Sequence, residues 1–267
     1  MNTFVTGAWD IKRGNLDNTI NNYAWKRPFD VYLKQLNELL TTGLKFVVFG
    51  DNNLKEICSK YNNATFVYKP VSELTKKLSY SDKIEEIRTS AEWYDQPTAQ
   101  WLKSSPQARL QHYIPITLNK LFCIQEASVM NPYNSNNFFW VDCGMTREHD
   151  MPVLINIEQN LYKYTKFLFM TQRYIDNTEI HGFLRNGMNK YCNVPFVDKI
   201  VKCPFFGGSV NQLDDIINIY DKNIRESLDE NLLGTEEVYL TMCLYQRPDL
   251  FDEVFMPYPG RNNIKYL

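Results

Sequence analysis

Apolar positions along this chain recur in two periods, and the period switches repeatedly. The first run, residues 3–9 (Thr-Phe-Val-Thr-Gly-Ala-Trp), reads as a strand that opens into a polar loop from Asp10 through Arg13 to Asn15. From Pro28 the positions Phe29, Leu33, Leu36 and Leu40 recur at helical spacing. Pro28 suits a first helical turn, and Gly43 ends the pattern. Residues 46–49 (Phe-Val-Val-Phe) form the next strand, closed by Gly50, Asp51, Asn52 and Asn53. The chain therefore opens on a strand-loop-helix-strand unit. A short strand at 65–68 follows the next helical piece.

Residues 76–111 are polar, carry Trp93, Tyr94 and Trp101, and predict an inserted helical excursion without a clean strand. Ile116, Lys120, Leu121, Ile124 and Ala127 restore a helical period, and the Asn-Pro-Tyr-Asn-Ser-Asn-Asn stretch from Asn131 stops it. Residues 138–141 (Phe-Phe-Trp-Val) then read as a buried strand running straight into Asp142, Cys143 and Gly144. Further strands are expected at 166–169 and 199–202, and a helix from Gly234 carrying Val238 and Met242 up to Pro248. Strands alternating with helices predict an α/β fold, with a mainly parallel sheet flanked by helices in a single domain over residues 1–267. Ligands of such sheets bind at the carboxyl ends of the strands, so the loops after Trp9, Phe49 and Val141 are expected to face one site.

Composition narrows the functional classes. The chain has 267 residues, 44% hydrophobic and 22% charged, with a formal net charge of −2. That balance provides no field for drawing in nucleic acid. Six cysteines lie scattered without a C-x-x-C pair, which reads as free thiols in a reducing, cytoplasmic setting. No apolar stretch reaches membrane-spanning length, though peripheral attachment to a membrane is left open. His112, His149 and His181 are too dispersed to suggest a zinc site, and no Ser-His-Asp or phosphate-cradling glycine-rich motif is present.

Three constellations carry candidate chemistry. At the end of the 138–141 strand, Asp142 either caps the following turn or holds Mn²⁺ or Mg²⁺ against the diphosphate of a nucleotide sugar. The second carboxylate of an Asp-x-Asp pair is missing, because the third position is Gly144, leaving Glu148, Asp150 or a residue elsewhere in the chain to supply it. Next, Pro204, Phe205, Phe206, Gly207, Gly208 and Ser209 read either as a close-approach loop for an oxygen-rich ligand or as a tight turn with Ser209 as a helix N-cap. Finally, Glu236 and Glu237 open a helix, where acidic residues suit the dipole and where one could also accept a proton from an attacking hydroxyl. Thr6, Gly7, Asp10 and Arg13 after the first strand, with Asp51 after the second, are candidates for the nucleotide pocket.

Together these stretches resemble the HtrL/WlaTC (YibB-like) family of sugar transferases. The likeness is carried by Lys120-Leu121-Phe122, Glu126-Ala127, Asn131-Pro132-Tyr133 and the strand end from Phe139 to Gly144. It is also carried by residues 5–11 with Arg13-Gly14, by Phe206-Gly207-Gly208, and by Glu236-Glu237-Val238 with residues 247–251. Cys143 stands where the family usually has alanine. The resemblance implies a GT-A-like, Rossmann-related fold and transfer of a sugar from a nucleotide donor, expected as a UDP-hexose, to a glycan, lipid-linked or protein acceptor. It places Asp142 at the diphosphate and metal, Glu237 rather than Glu236 near the acceptor, Lys120 on the donor side, and Trp140 with Phe206, Gly207, Gly208 and Ser209 around the sugars. A non-catalytic protein of the same fold that binds sugar nucleotides or glycans is the alternative, and a nucleotidyltransferase lacks its glycine-rich basic signature after the first strand.

Overall fold

The computed structural model describes residues 1–17, 25–78, 80–147, 151–175, 178–257 and 267. In chain order its strands are β1 (Asn2–Ala8), β2 (Phe46–Gly50), β3 (Ala64–Tyr68), β4 (Asn137–Val141), β5 (Phe167–Arg173), β6 (Glu179–Ile180), β7 (Phe183–Leu184), β8 (Lys199–Ser209) and β9 (Phe251–Met256). Seven of them form one sheet in the order β3-β2-β1-β4-β8-β5-β9, while β6 and β7 make a separate hairpin. Pairings β1–β2, β1–β4, β2–β3 and β5–β9 are parallel. Within this sheet only β8 runs antiparallel, to both β4 and β5.

Alternation along the strands, broken at a bulge in β8, divides the core into two layers. One face carries Phe4, Phe46, Val48, Phe139, Leu168 and Phe205 against α1 (Phe29–Leu40). The other carries Val5, Val47, Phe49, Phe138, Phe167 and Phe206 against α2 (Tyr113–Met130), α3 (Leu213–Asp229) and α4 (Glu236–Gln246). Helices on both faces explain why these strands read as near-continuous apolar runs. Asn131 ends α2 in the left-handed conformation, as its sequence stop predicts. From Ser81 to Arg109 the described elements are all helical turns, matching the predicted excursion.

Of the sequence expectation for residues 204–209, the N-cap role of Ser209 holds, but the loop or tight turn does not. These residues form the second half of the 11-residue strand β8. Pro204 is tolerated because the β5–β8 register shifts between Leu168 and Met170, and a bulge removes the need for its missing N–H. Gly207 (φ 148°) admits the neighbouring strand, since a Cβ there stands 2.2 Å from the Phe138 carbonyl oxygen and 2.5 Å from the Phe139 Cα. Both contacts are to backbone, which has no rotamer to yield. Gly207→Ala is therefore expected to destabilise the fold by at least about 1–3 kcal/mol, the usual scale of overpacking, read as a lower denaturant midpoint.

Candidate active site

At the carboxyl ends of β1 and β4 the chain opens into a cleft lined by Gly7, Trp9, Asp10, Arg13, Arg27, Phe29, Tyr32, Tyr113, Lys120, Trp140, Asp142, Gly144 and Pro204, among others. Gly7 permits this shape: a Cβ there meets the Trp9 ring at 2.4 Å, so the indole folds back over the strand end. The indole N–H of Trp9 is satisfied by the Lys69 carbonyl at 2.7 Å. Two guanidiniums converge on one phenol. Arg13 donates through Nη1 to the Tyr32 hydroxyl at 3.1 Å and through Nε to the Trp25 carbonyl at 3.0 Å, while Arg27 donates to the same hydroxyl at 3.2 Å. The first turn of α1, with Phe29 and Tyr32, forms the adjacent wall, so the positive end of a 12-residue helix borders the cleft.

The floor is an ionic cluster centred on Lys120. Its ammonium lies 2.7 Å from Asp142 Oδ1 and 2.7 Å from Glu236 Oε1, and donates to the Cys203 carbonyl at 3.2 Å. The three ammonium protons thus have three partners, on β4's end, α4 and β8. Burial alone penalises the charge, but Asp142 and then Glu236 outweigh it and hold the ammonium well above the usual lysine range. Asp142 Oδ1 also accepts from the Trp140 indole N–H at 2.6 Å, and the Asp142 backbone N–H donates to the Pro204 carbonyl at 2.8 Å. Asp142 is therefore a fixed anchor, not merely a turn cap.

Glu237 belongs to a neighbouring cluster. Lys202 Nζ lies 2.5 Å from its Oε2, His181 Nε2 lies 3.6 Å from the same oxygen, and the Cys203 backbone N–H donates to Oε1 at 3.3 Å. Burial pushes the carboxyl up, yet Lys202 first and His181 second overcome it, so Glu237 sits below the ordinary glutamate range. His181 is also 2.8 Å through Nδ1 from the Thr235 hydroxyl and meets the Trp101 ring edge-on at 6.2 Å. A base role for Glu237 runs against this pairing, because a carboxylate stabilised as an anion is a weaker proton acceptor. Adjacent helical positions point about 100° apart, which turns the two glutamates to different partners.

Of the residues expected from sequence, Gly7, Asp10, Arg13, Lys120, Trp140 and Asp142 meet in the cleft. Asp51 stands beside it, its carboxyl raised by burial and then by the charge of Asp10. Thr6 lies elsewhere: it is wholly buried inside β1, paired with Val48. Phe206 is equally buried in the core. Register also separates Gly208 and Ser209 from Asp142, since they pair with Phe138 and Asn137 at the opposite end of β4, while Gly207 pairs with Phe139 at its middle. Ser209 instead caps a short 3₁₀ turn by accepting from the Asn211 N–H at 3.3 Å. Sequence reasoning missed Arg27, Tyr32, Tyr113, His181 and Lys202. Arg27 had a usable signal, a cation immediately ahead of the predicted helix start at Pro28. His181 had none, because only folding brings the β6–β7 turn to α4.

The expected Mn²⁺ or Mg²⁺ does not fit the described residues alone. Among them no group of three or more His, Cys, Asp or Glu side chains is placed to hold a metal ion, and the Asp142 oxygen nearest the cluster already faces an ammonium and an indole N–H. Glu148 and Asp150, the sequence candidates for a second ligand, lie outside the described residues. All six cysteines are buried free thiols, and no described helix is long and apolar enough to cross a membrane.

Comparisons with known proteins bear on the whole chain. Mouse xyloside xylosyltransferase 1 in its apo form superposes with a TM-score of 0.47 at 9% identity, covering 95% of this chain and 85% of that one. The 4-diphosphocytidyl-2C-methyl-D-erythritol synthase of Anaerococcus prevotii superposes with a TM-score of 0.41 at 10% identity, covering 96% and 87%. In sequence, Protein HtrL of Escherichia coli (strain K12) is 22% identical over 270 residues, 97% of this chain and 88% of that protein. The family described as "Bacterial protein of unknown function (HtrL_YibB)" matches residues 1–257. With nearly the entire chain covered, including β1, α2, the β4 strand end and α4, the protein belongs to the HtrL_YibB family.

Proposed function

We propose that the chain is a GT-A-like glycosyltransferase that moves a hexose from a nucleoside diphosphate sugar, expected as a UDP-sugar, to a hydroxyl of a glycan, lipid-linked or protein acceptor. The observation that carries this is the cleft itself: aromatic rings and the cations Arg13, Arg27 and Lys120 gathered at parallel strand ends around Asp142. Tyr32, Tyr113 and Trp140 offer faces for a base or sugar ring. The two arginines and the first turn of α1 suit a diphosphate, which guanidiniums can grip through paired hydrogen bonds and a helix N-terminus attracts.

In the transfer, the acceptor oxygen bonds to the anomeric carbon as that carbon's bond to the diphosphate oxygen breaks. The bonding pair leaves with the nucleoside diphosphate, and the hydroxyl proton passes to an acceptor-side base. Charge developing on the diphosphate is stabilised by cations that the fold has already oriented. On this reading Lys120 and Glu236 fix Asp142, while Glu237 holds Lys202 and His181 at the acceptor side. The ion-paired state of Glu237 is the one observation favouring the alternative, a protein that binds sugar nucleotides without turnover.

A thermal-shift screen of sugar nucleotides, with and without Mn²⁺ or Mg²⁺, tests the reading. A nucleoside diphosphate sugar is expected to raise the melting temperature, by about 2.7 kcal/mol of added stability at a hundredfold excess over Kd. No response to any nucleotide overturns it, and stabilisation without donor hydrolysis or transfer selects the binding protein.

Two variants test the clusters. Lys120→Met leaves Asp142 and Glu236 without their shared cation, so a loss of about 3–5 kcal/mol in denaturant unfolding is expected. Glu237 has a folded pKa below its unfolded value, so its contribution is present above the ordinary glutamate value of 4.5 and is lost as pH falls through the lower folded value. Wild type is therefore expected to exceed Glu237→Gln in stability at pH 7, with the gap closing in acid. A gap independent of pH contradicts the ion-pair account.

A further inference from the structure

We infer that the Tyr113 hydroxyl is a binding group for the donor's diphosphate, donating a hydrogen bond to a phosphate oxygen beside Arg13. The inference rests on the nucleotide-sugar reading of the cleft and goes beyond it by assigning that contact to a neutral phenol. One wall of the cleft is a single stripe of α2, since Tyr113, Ile116, Thr117 and Lys120 all line it. Spacings of three, four and seven residues put these side chains on one helical face. Lys120 is rooted at Asp142. Tyr113 stands two turns, about 10 Å, nearer the start of the helix. There the Arg13 guanidinium lies over its ring, 5.8 Å from the centroid.

The other aromatic side chains of the cleft that carry a polar atom have it engaged within the chain. Trp9 donates to the Lys69 carbonyl, Trp140 donates to Asp142, and the Tyr32 hydroxyl accepts from Arg13 and Arg27. The Tyr113 hydroxyl has no hydrogen-bond partner among the described residues, and the residue faces the cleft. A half-buried phenol ordinarily finds a partner for its O–H, and the cleft is the side from which a ligand reaches this one. Burial is the largest influence on the phenol and raises it over the opposing pull of Arg13, so the group keeps its proton and donates. Arg13 supplies the second half of the argument. It hydrogen-bonds two neutral oxygens, of Trp25 and Tyr32, and among the described residues no carboxylate pairs with it. An uncompensated cation beside an unpartnered O–H matches an anionic oxygen, whereas a nucleobase carbonyl or a sugar hydroxyl carries no charge for the cation to balance.

Tyr113→Phe keeps the ring and its contact with Arg13 and removes only the hydroxyl, so the unliganded melting temperature is expected to stay level or rise. Kd is measured for UDP, inorganic pyrophosphate, uridine and UDP-glucose, in wild type and variant. The variant is expected to weaken UDP, pyrophosphate and UDP-glucose together by about 10- to 150-fold, the range of one hydrogen bond to a charged group, with uridine unchanged. A loss for uridine as large as that for UDP assigns the hydroxyl to the nucleoside, and a loss confined to UDP-glucose assigns it to the sugar; either result overturns the diphosphate contact. A lower melting temperature in the unliganded variant shows that the hydroxyl is partnered within the fold and overturns it as well. Unchanged affinities in the variant, with wild type binding UDP, overturn the Tyr113 assignment and leave the reading of the cleft standing. A wild type that binds neither UDP nor pyrophosphate overturns both.

Discussion

The buried ammonium of Lys120 is the constraint on which the site depends. It comes from the middle of α2, the long helix packed across the sheet, and is held by a strand-end carboxylate, a helix-start carboxylate and a backbone carbonyl on the antiparallel strand. Each of these groups belongs to a different element, so one cation fixes β4, β8 and α4 relative to α2. Such a cluster is weak evidence for stability, because desolvating three charges offsets much of their attraction. Its value is positional. Asp142 is presented at the strand end with its orientation set by both Lys120 and the Trp140 indole.

Two groups of residues with different electrostatics adjoin that anchor. Toward β1 and α1, Arg13 and Arg27 share the Tyr32 hydroxyl beside a helix N-terminus, a surface suited to an anion flanked by aromatic rings. Toward the β6–β7 turn, Glu237, Lys202, His181 and Thr235 form a satisfied polar cluster next to Trp101. The adjacent glutamates Glu236 and Glu237 point to the two clusters separately. The first turn of α4 therefore separates the two clusters.

Local pattern was a good guide wherever sequence neighbours also determine structure. β1, β2, β4, α1 and α2 were legible because alternation or helical period coincides with burial, and Pro28, Gly43 and Asn131 mark real boundaries. Pro204, Gly207 and Gly208 misled because turn chemistry in isolation looks the same as a strand interior with a bulge and a close backbone crossing. The strand β9 and the helix α3 went unread. In the site, residues directly after strands were found, whereas His181 and Lys202 depend on contacts 54 and 35 positions away along the chain. No local period encodes such contacts.

The central claim is that nucleotide binds in the cleft joined by Lys120, and amide hydrogen exchange with and without a UDP-sugar measures it most directly. The account predicts slower exchange on ligand addition in residues 7–16, 25–33 and 141–146, with the outer strands β3 and β9 unchanged. Protection confined to another surface, or unchanged exchange in all three segments at saturating ligand, would contradict it.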